Sequence, residues 1–416
     1  MKKTLIAVAA AAALTATSAF AEITFGAWLR SALIPVAYDG EDYLGGLTQS
    51  WGGAARTAVL GVNGVSEDGM AGFTFEIRNQ AGEGINMGDR TVTWLKPIEQ
   101  LKLSVGKFDD GDNGFREGTG FGAWNWVRPS ATTGLFFNGD DSIMDAIGGN
   151  GFMAEIFPIE GFKVMVNVPF LKDAGKVEGN KAYDIYKKTQ IGAAYTIDGT
   201  GTLKVLWTGV SEESKIGNSK YDYTGKIGVA FDLTAVENLY LAIGAKFDIV
   251  DEDYKVNSIE IDDETGINDY KDWGGAKNKA YFALNASYKV SDAITFNMNG
   301  GVKLFKESGF DPKWGIGAGV DYVIMEGLTL NADVRYISET KYSKNDGNDD
   351  SVSFLIGATK TIGSNGNIGI GFQGATNGSG FSAFNAYKNK TVDGYTKAGY
   401  SDNFAWCVPV MFNLSF

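Results

Sequence analysis

Apolar residues recur at every second position in segment after segment of this chain. Phe162, Val164, Val166, Val168 and Phe170 stand against Lys163, Met165 and Asn167. Leu239, Leu241, Ile243, Ala245, Phe247 and Ile249 stand against Tyr240, Ala242, Gly244, Lys246 and Asp248. The same period sets Leu328, Leu330, Ala332, Val334 and Tyr336 against Thr329, Asn331, Asp333 and Arg335. Successive side chains of a strand point to opposite faces, so each segment reads as a strand with one apolar and one polar face. The closing segment is the strictest, with Phe404, Trp406, Val408, Val410, Phe412, Leu414 and Phe416 all apolar. Pro409 interrupts it. Proline cannot donate to a ladder, so a bulge is expected there, or pairing that becomes regular only beyond it.

The connections alternate in length. Short ones carry turn residues, as at 66–69, 97–100, 198–201, 291–293, 325–327 and 363–366. Between them lie longer polar stretches at 82–89, 109–150, 171–188, 211–224, 250–279, 306–312, 338–350 and 376–402. This pattern predicts 18 strands, with 16 as the alternative, and both termini on the short-turn side. A soluble sandwich or solenoid would also hide one face of each strand, but gives no reason for short and long connections to separate. A closed antiparallel transmembrane β-barrel gives that reason: short periplasmic turns, long extracellular loops, apolar outside and polar inside. Closure is required because an open sheet edge would leave backbone groups unpaired in hydrocarbon. The last strand then seals against the first, near Ile23 and Phe25.

The face assigned inward carries the charge. Arg30, Glu76, Arg78, Lys102, Glu155, Lys163, Lys204, Lys226, Asp232, Lys246, Asp248, Lys289, Lys303, Lys313, Asp321, Asp333 and Arg335 fall there, 11 basic against 6 acidic. Charges facing a dry core would cost several kcal/mol each, whereas a water-filled lumen solvates them. Arg30, Glu76, Arg78, Lys246, Asp333 and Arg335 sit near mid-height by strand position, and with Lys102, Lys204 and Lys303 are the candidate pore-lining residues.

Composition narrows the classes further. The first 21 residues, MKKTLIAVAAAAALTATSAFA, have the basic start, apolar run and small-residue cleavage site of a signal peptide. Removing them would leave 416 − 21 = 395 residues as a single barrel domain, 22–416, and shift the net charge by two lysines from −13 to −15. Such acidity, without a Lys/Arg cluster, argues against a nucleic-acid partner. Cys407 is the single cysteine, so no internal disulfide can form. The chain has no histidine, which excludes Ser-His-Asp and Cys-His sites and removes the commonest metal ligand; no enzyme is expected. No cofactor is expected either. The acidic stretches DDGDNG at 109–114 and NDGNDD at 345–350 lack the ligand spacing of an EF-hand and suit at most a weakly held divalent cation.

Over the whole of 22–416 the pattern resembles the general diffusion porins of bacterial outer membranes. The most specific element is the end of the chain, where Phe412, Leu414 and Phe416 match the aromatic-terminated signal read by barrel-assembly machinery. The resemblance implies an outer-membrane lipid environment, passage of small hydrophilic solutes, and a homotrimer. It also implies that the long loop 109–150 folds into the lumen as a constriction. That loop carries Asp109, Asp110, Asp112, Glu117, Asp140, Asp141 and Asp145, with Trp124 and Trp126, and would face a basic-leaning wall. Two other functions fit the same fold. One is a substrate-selective channel in which inward Trp28, Tyr240, Tyr281 and Phe305 form a sliding surface for sugars; the other is a surface adhesin with incidental conductance.

Overall fold

The computed structural model describes residues 22–38, 43–47, 56–80, 85–108, 114–116, 142–145, 147–169, 186–216, 219–250, 278–306, 312–338, 350–376, 390–392, 395–397 and 404–416. The proposed signal peptide, residues 1–21, lies outside them. The strands are β1 Glu22–Tyr38, β2 Tyr43–Leu47, β3 Arg56–Val65, β4 Ala71–Gln80, β5 Ile85–Ile98, β6 Leu101–Phe108 and β7 Gly149–Ile159. There follow β8 Phe162–Pro169, β9 Gln190–Ile197, β10 Gly201–Ile216, β11 Ser219–Leu233, β12 Leu239–Val250, β13 Asn278–Lys289 and β14 Ile294–Phe305. The chain ends with β15 Lys313–Met325, β16 Leu328–Ile337, β17 Ser351–Ile362, β18 Gly366–Ala375, β19 Lys390–Val392, β20 Tyr395–Lys397 and β21 Ala405–Ser415.

Strand β1 pairs with β3, each strand from β3 to β18 pairs with the next, and β21 joins β18 back to β1, all antiparallel. Among the described residues this is a closed ring of 18 strands, with β2 an extra strand against the end of β1, and β19–β20 a separate hairpin. The connections at 66–70, 99–100, 160–161, 198–200, 234–238, 290–293, 326–327 and 363–365 all fall on one rim, and the alternation read from the sequence is the real one. Two of these turns, at 160–161 and 234–238, carry no conspicuous sequence signal. The first turns on Gly161 at φ 74°, and the second holds Asn238 at φ 62°, the left-handed region that glycine and asparagine tolerate best.

Three boundaries differ from the sequence reading. The polar stretch 211–224 is mostly not a loop: β10 and β11 continue as a paired ribbon, Glu212 opposite Tyr223 and Lys215 opposite Lys220, up to 217–218. Backbone pairing does not need an apolar face once the strands have left the bilayer, so the alternation disappears there while the ladder persists. Likewise β5 starts at Ile85, and the connection expected at 82–89 shortens to 81–84. Finally, the seam between β21 and β1 closes higher on β1 than Ile23 and Phe25. Phe416 exchanges backbone hydrogen bonds with Ala27 (2.7 and 3.0 Å), and Glu22–Gly26 pair with β3. Barrel closure staggers the register, and a linear pattern holds no information about that shear.

The proline anomaly also resolves at this seam. Strand β21 runs straight through Pro409, and the extra residue sits in its partner: Leu33 faces Val410 but Val36 faces Val408, which leaves Ile34 and Pro35 as a bulge. Two residues without an N–H, Pro35 and Pro409, therefore meet where the ladder is already broken.

Accessibility separates the two faces cleanly. Ile356 is 60% exposed while its neighbour Leu355 is fully buried; Ile316, Ile370 and Phe412 are exposed in the same way. The inward face holds Asn285, Asn297, Asn299, Asn331, Asp248, Asp333, Arg335 and Gln373, all buried. An outside of exposed aliphatic side chains and an inside of amides and charges is the reverse of a soluble domain, and it is the arrangement that a lipid solvent demands.

Candidate functional site: the lumen wall and its inserted loop

The charged wall is organised into ion pairs across neighbouring strands. Glu155 on β7 receives Lys102 of β6 at 2.8 Å and Lys163 of β8 at 2.9 Å. Lys204 and Asp232 meet at 2.6 Å between β10 and β11. Glu76 on β4 accepts the backbone N–H of Arg90 (3.1 Å), whose guanidinium lies 3.8 Å away. Asp321 accepts from the amides of Asn297 (2.9 Å) and Asn331. Such pairs contribute little stability on a solvated wall, but they fix where charge stands.

Part of the wall is not polar at all. Met165, Leu206, Ala230 and Ala242 are buried inward residues on β8, β10, β11 and β12, with Gly192, Gly228 and Gly244 beside them. Onto this patch pack Phe115, Ile143, Met144 and Ile147 of the connection between β6 and β7, all fully buried. The glycines admit them closely. A Cβ on Gly228 would stand 2.8 Å from the Met144 sulfur, and one on Gly192 would stand 2.6 Å from the Phe115 ring. Burial of four apolar side chains contributes roughly 1.5–3 kcal/mol each, which holds this loop inside the barrel against the entropy of a free segment. The described parts of the connection, 114–116, 142–145 and 147–148, thus lie against the inward face of the wall.

Polar contacts then fix its position. The Asp145 carboxylate lies 3.2 Å from Lys226 and 3.0 Å from Lys246. At the foot of the loop, Asn167 donates to the Gly148 carbonyl (2.9 Å) and to Gln190 (2.8 Å), and Gln190 accepts the Gly148 N–H (3.1 Å). The expected constriction residues Asp109, Asp110, Asp112, Glu117, Trp124, Trp126, Asp140 and Asp141 lie outside the described residues. Asp145 itself is clamped to the near wall and does not face across the pore. In the ring order β11 and β12, which carry Lys226 and Lys246, are tenth and eleventh counting from β1, so Arg30 on β1 stands about half-way round from Asp145, and Arg78 on β4, the third strand, somewhat nearer.

The remaining candidates are scattered. Lys246 and Lys303 flank the Tyr281 ring at 5.2 and 5.3 Å, and that ring is buried. Asp333 and Arg335 lie buried on β16. Trp28 is on β1, Tyr240 at the turn end of β12 and Phe305 at the far end of β14, so the inward aromatics form no continuous track. An unexpected inward aromatic is Trp94 on β5, which lies against Gly72 with Lys96 and Lys102 5.7 and 5.6 Å from its ring. The docking patch was visible in principle: inward positions on five successive strands, β8 to β12, carry Met165, Gly192, Leu206, Ala230 and Ala242.

A closed 18-stranded sheet with a polar lumen, an apolar exterior and an inserted loop defines a membrane channel of the β-barrel class. A family model described as the porin subfamily matches residues 143–361, more than half of the chain, and the chain belongs to that family. It is thus a bacterial outer-membrane porin, a channel for passive diffusion. The anion-selective porin from Comamonas acidovorans is 14% identical and superposes with a TM-score of 0.53 over 95% of this chain and 99% of that one. A triple mutant of the Rhodopseudomonas blastica porin is 15% identical, with a TM-score of 0.45 over 95% and 100%. OmpT of Vibrio cholerae, in its trimer form, is 12% identical, with a TM-score of 0.46 over 95% and 99%. No curated protein sequence matches the chain significantly.

Proposed function

We propose that this porin is an open, general diffusion pore with a weak preference for anions, set at the level of the inserted loop. The observation that carries this reading is the sharing of carboxylates. Asp145 is held by two lysines, Lys226 and Lys246, and Glu155 by two more, Lys102 and Lys163. The two groups set four lysines against two carboxylates, with Asp248 opposite Lys226 in the register as a third acid nearby. Arg78 adds to this from β4, and Arg30 adds a positive charge nearer the turn rim. The acidic outer loops pull the other way, but charges farther than the Debye length, about 10 Å at 0.1 M salt, are largely screened at the constriction. The wall beside the passing ion then decides the sign.

Roles follow for the inward residues: Arg30, Arg78, Lys102, Lys204, Lys246, Lys303 and Arg335 attract anions, while Glu76 and Asp333 keep the field local. Phe412, Leu414 and Phe416 serve as the assembly signal, residues 1–21 as the export signal, and the working unit is a homotrimer. No enzymatic step belongs to this reading. A sugar-selective channel is less well supported, because Tyr281 is buried and the other inward aromatics are far apart. Planar-bilayer recording in a salt gradient tests the proposal: the expected reversal potential has the sign of chloride over potassium. A clear cation preference would reject it.

A further inference from the structure

The loop dock occupies the inner face of β11 and β12, and the outer face of the same wall carries a feature of its own. Across β11 to β14 the outward residues fall into two rows set by the register. Phe231, Ile243, Leu284 and Gly300 form one row, and Val229, Ala245, Phe282 and Val302 form the next. Ala245 and Gly300 are small where their neighbours are bulky, and the surface sinks there into a trough of about 630 Å³. Its lining holds no charged and no polar side chain. Ile243, Leu284 and Gly300 stand near the middle of β12, β13 and β14, which places the trough at mid-height of the membrane-spanning band. The space over Gly300 is open: a Cβ added there would meet nothing nearer than 3.8 Å.

We infer that this trough is a docking site for a single acyl chain of a membrane lipid, held more tightly than the chains over the rest of the barrel. At mid-height the bilayer offers hydrocarbon and no water. A headgroup or a sugar would leave its polar groups unpaired against this lining. Within lipid no hydrophobic gain favours the contact, because acyl chains are as apolar as the wall, so the gain is packing. A chain lying in a trough meets side chains below it and on both sides, and dispersion contacts add up with their number. Size favours a chain over a second copy of the protein. Three strand spacings by one two-residue step is about 14 by 7 Å, whereas a subunit face buries about 800 Å² per partner. The site belongs to the outer surface and is independent of the ion preference of the pore.

The experiment is photolabelling of the protein in dioleoyl phosphatidylcholine vesicles doped with a phosphatidylcholine that carries a diazirine in mid-chain. Adducts are located by mass spectrometry of the peptides. Labelling of 243–245, 282–284 and 300–302 is expected to exceed that of 354–356 and 370–372 several-fold, although Ile356 and Ile370 are more exposed than Ile243 and Phe282. Gly300→Leu fills the trough and should bring the excess down to the level of the two reference segments. Ala245→Leu gives a second route to the same loss, and heat-modifiable migration verifies that each variant is folded. Equal labelling of all five segments in the wild type, or an excess that persists in the folded variants, would overturn the site. A benzophenone side chain introduced at Phe282 tests the other occupant. Adducts with lipid support the site, and adducts with a second copy of the chain would assign the trough to a subunit contact and overturn it.

Discussion

At the scale of single residues, position along a strand decides cost. Ile243 is an exposed outward residue in the middle of β12, whereas Leu241 stands only two residues from the turn-side start of the same strand. Arginine at the bilayer midplane costs about 2–4 kcal/mol and near the interface about 0–1 kcal/mol. Ile243→Arg is therefore expected to destabilise the barrel by the larger amount and Leu241→Arg by the smaller, measured by denaturant titration of the refolded protein in lipid. Equal losses would mean that the height assignment is wrong. Lys246, on the opposite face of the same strand, behaves differently. Lys246→Glu places a carboxylate against Asp145, so it should unseat the loop as well as move the reversal potential toward cations. A selectivity shift with unchanged conductance would show that the clamp is dispensable. Asp68 gives a residue-scale pH effect at the rim. Its carboxylate accepts from the Ser66 hydroxyl (2.6 Å) and the Met70 N–H (2.9 Å), which lower its pKa below the usual 3.8. A depressed carboxylate contributes its stability at neutral pH and loses it as pH falls through the folded value, so the turn should loosen only below the ordinary carboxylate range. NMR titration of Asp68 checks the direction.

At the scale of elements, the inserted loop is a small hydrophobic core built inside a water-filled channel. Its footing depends on missing side chains as much as on present ones. The three atoms nearest the ideal Cβ of Gly228 are two of Met144 and, at 3.8 Å, one of the Lys246 side chain, so no backbone atom is closer than that. Gly228→Val should therefore leave the β10–β11–β12 ladder intact and lift Met144 from the wall. The expected readout is a change in single-channel conductance and noisier current, with heat-modifiable migration unchanged; wild-type conductance would place the constriction elsewhere. The short turns and the loop also differ in how much of them could be read in advance. Turns such as Ser66–Gly69 announce themselves because their φ angles favour particular residues. The docking of the loop depends on which inward residues become neighbours across five strands, and strand spacing alone does not supply that. The ribbon at 211–224 escaped the alternation because a backbone ladder can continue without an apolar face.

At the scale of the whole molecule, closure is the event that makes a channel. Strand β21 bonds to β18 on one side and to β1 on the other, and its end is held by the two Phe416–Ala27 backbone hydrogen bonds. Deleting Phe416 removes both bonds and the exposed terminal aromatic side chain. The fraction of heat-modifiable barrel recovered from outer membranes should fall, and recovery equal to the wild type would deny the residue an assembly role. The Pro35 and Pro409 bulge lies on this same seam, so the register that closes the ring contains an irregularity.

Fold class, the sidedness of the turns and the two-faced pattern of the strands were determined by the sequence, which left 18 strands with 16 as the alternative until the ring was seen to close. The physical reason is that lipid and water on opposite faces of a closed sheet impose a period of two on every strand, independently of how the strands meet. Register and contact across strands were decided by the tertiary structure. Shear moved the seam from Ile23 and Phe25 to Ala27 and beyond, and placed the bulge opposite Pro409. Neighbourhood across the wall turned isolated inward Met, Leu, Ala and Gly residues into a dock for Phe115, Ile143, Met144 and Ile147. The same neighbourhood gave Asp145 to Lys226 and Lys246, because partners 81 and 101 positions away along the chain (226 − 145 and 246 − 145) become adjacent only when the barrel closes around the loop.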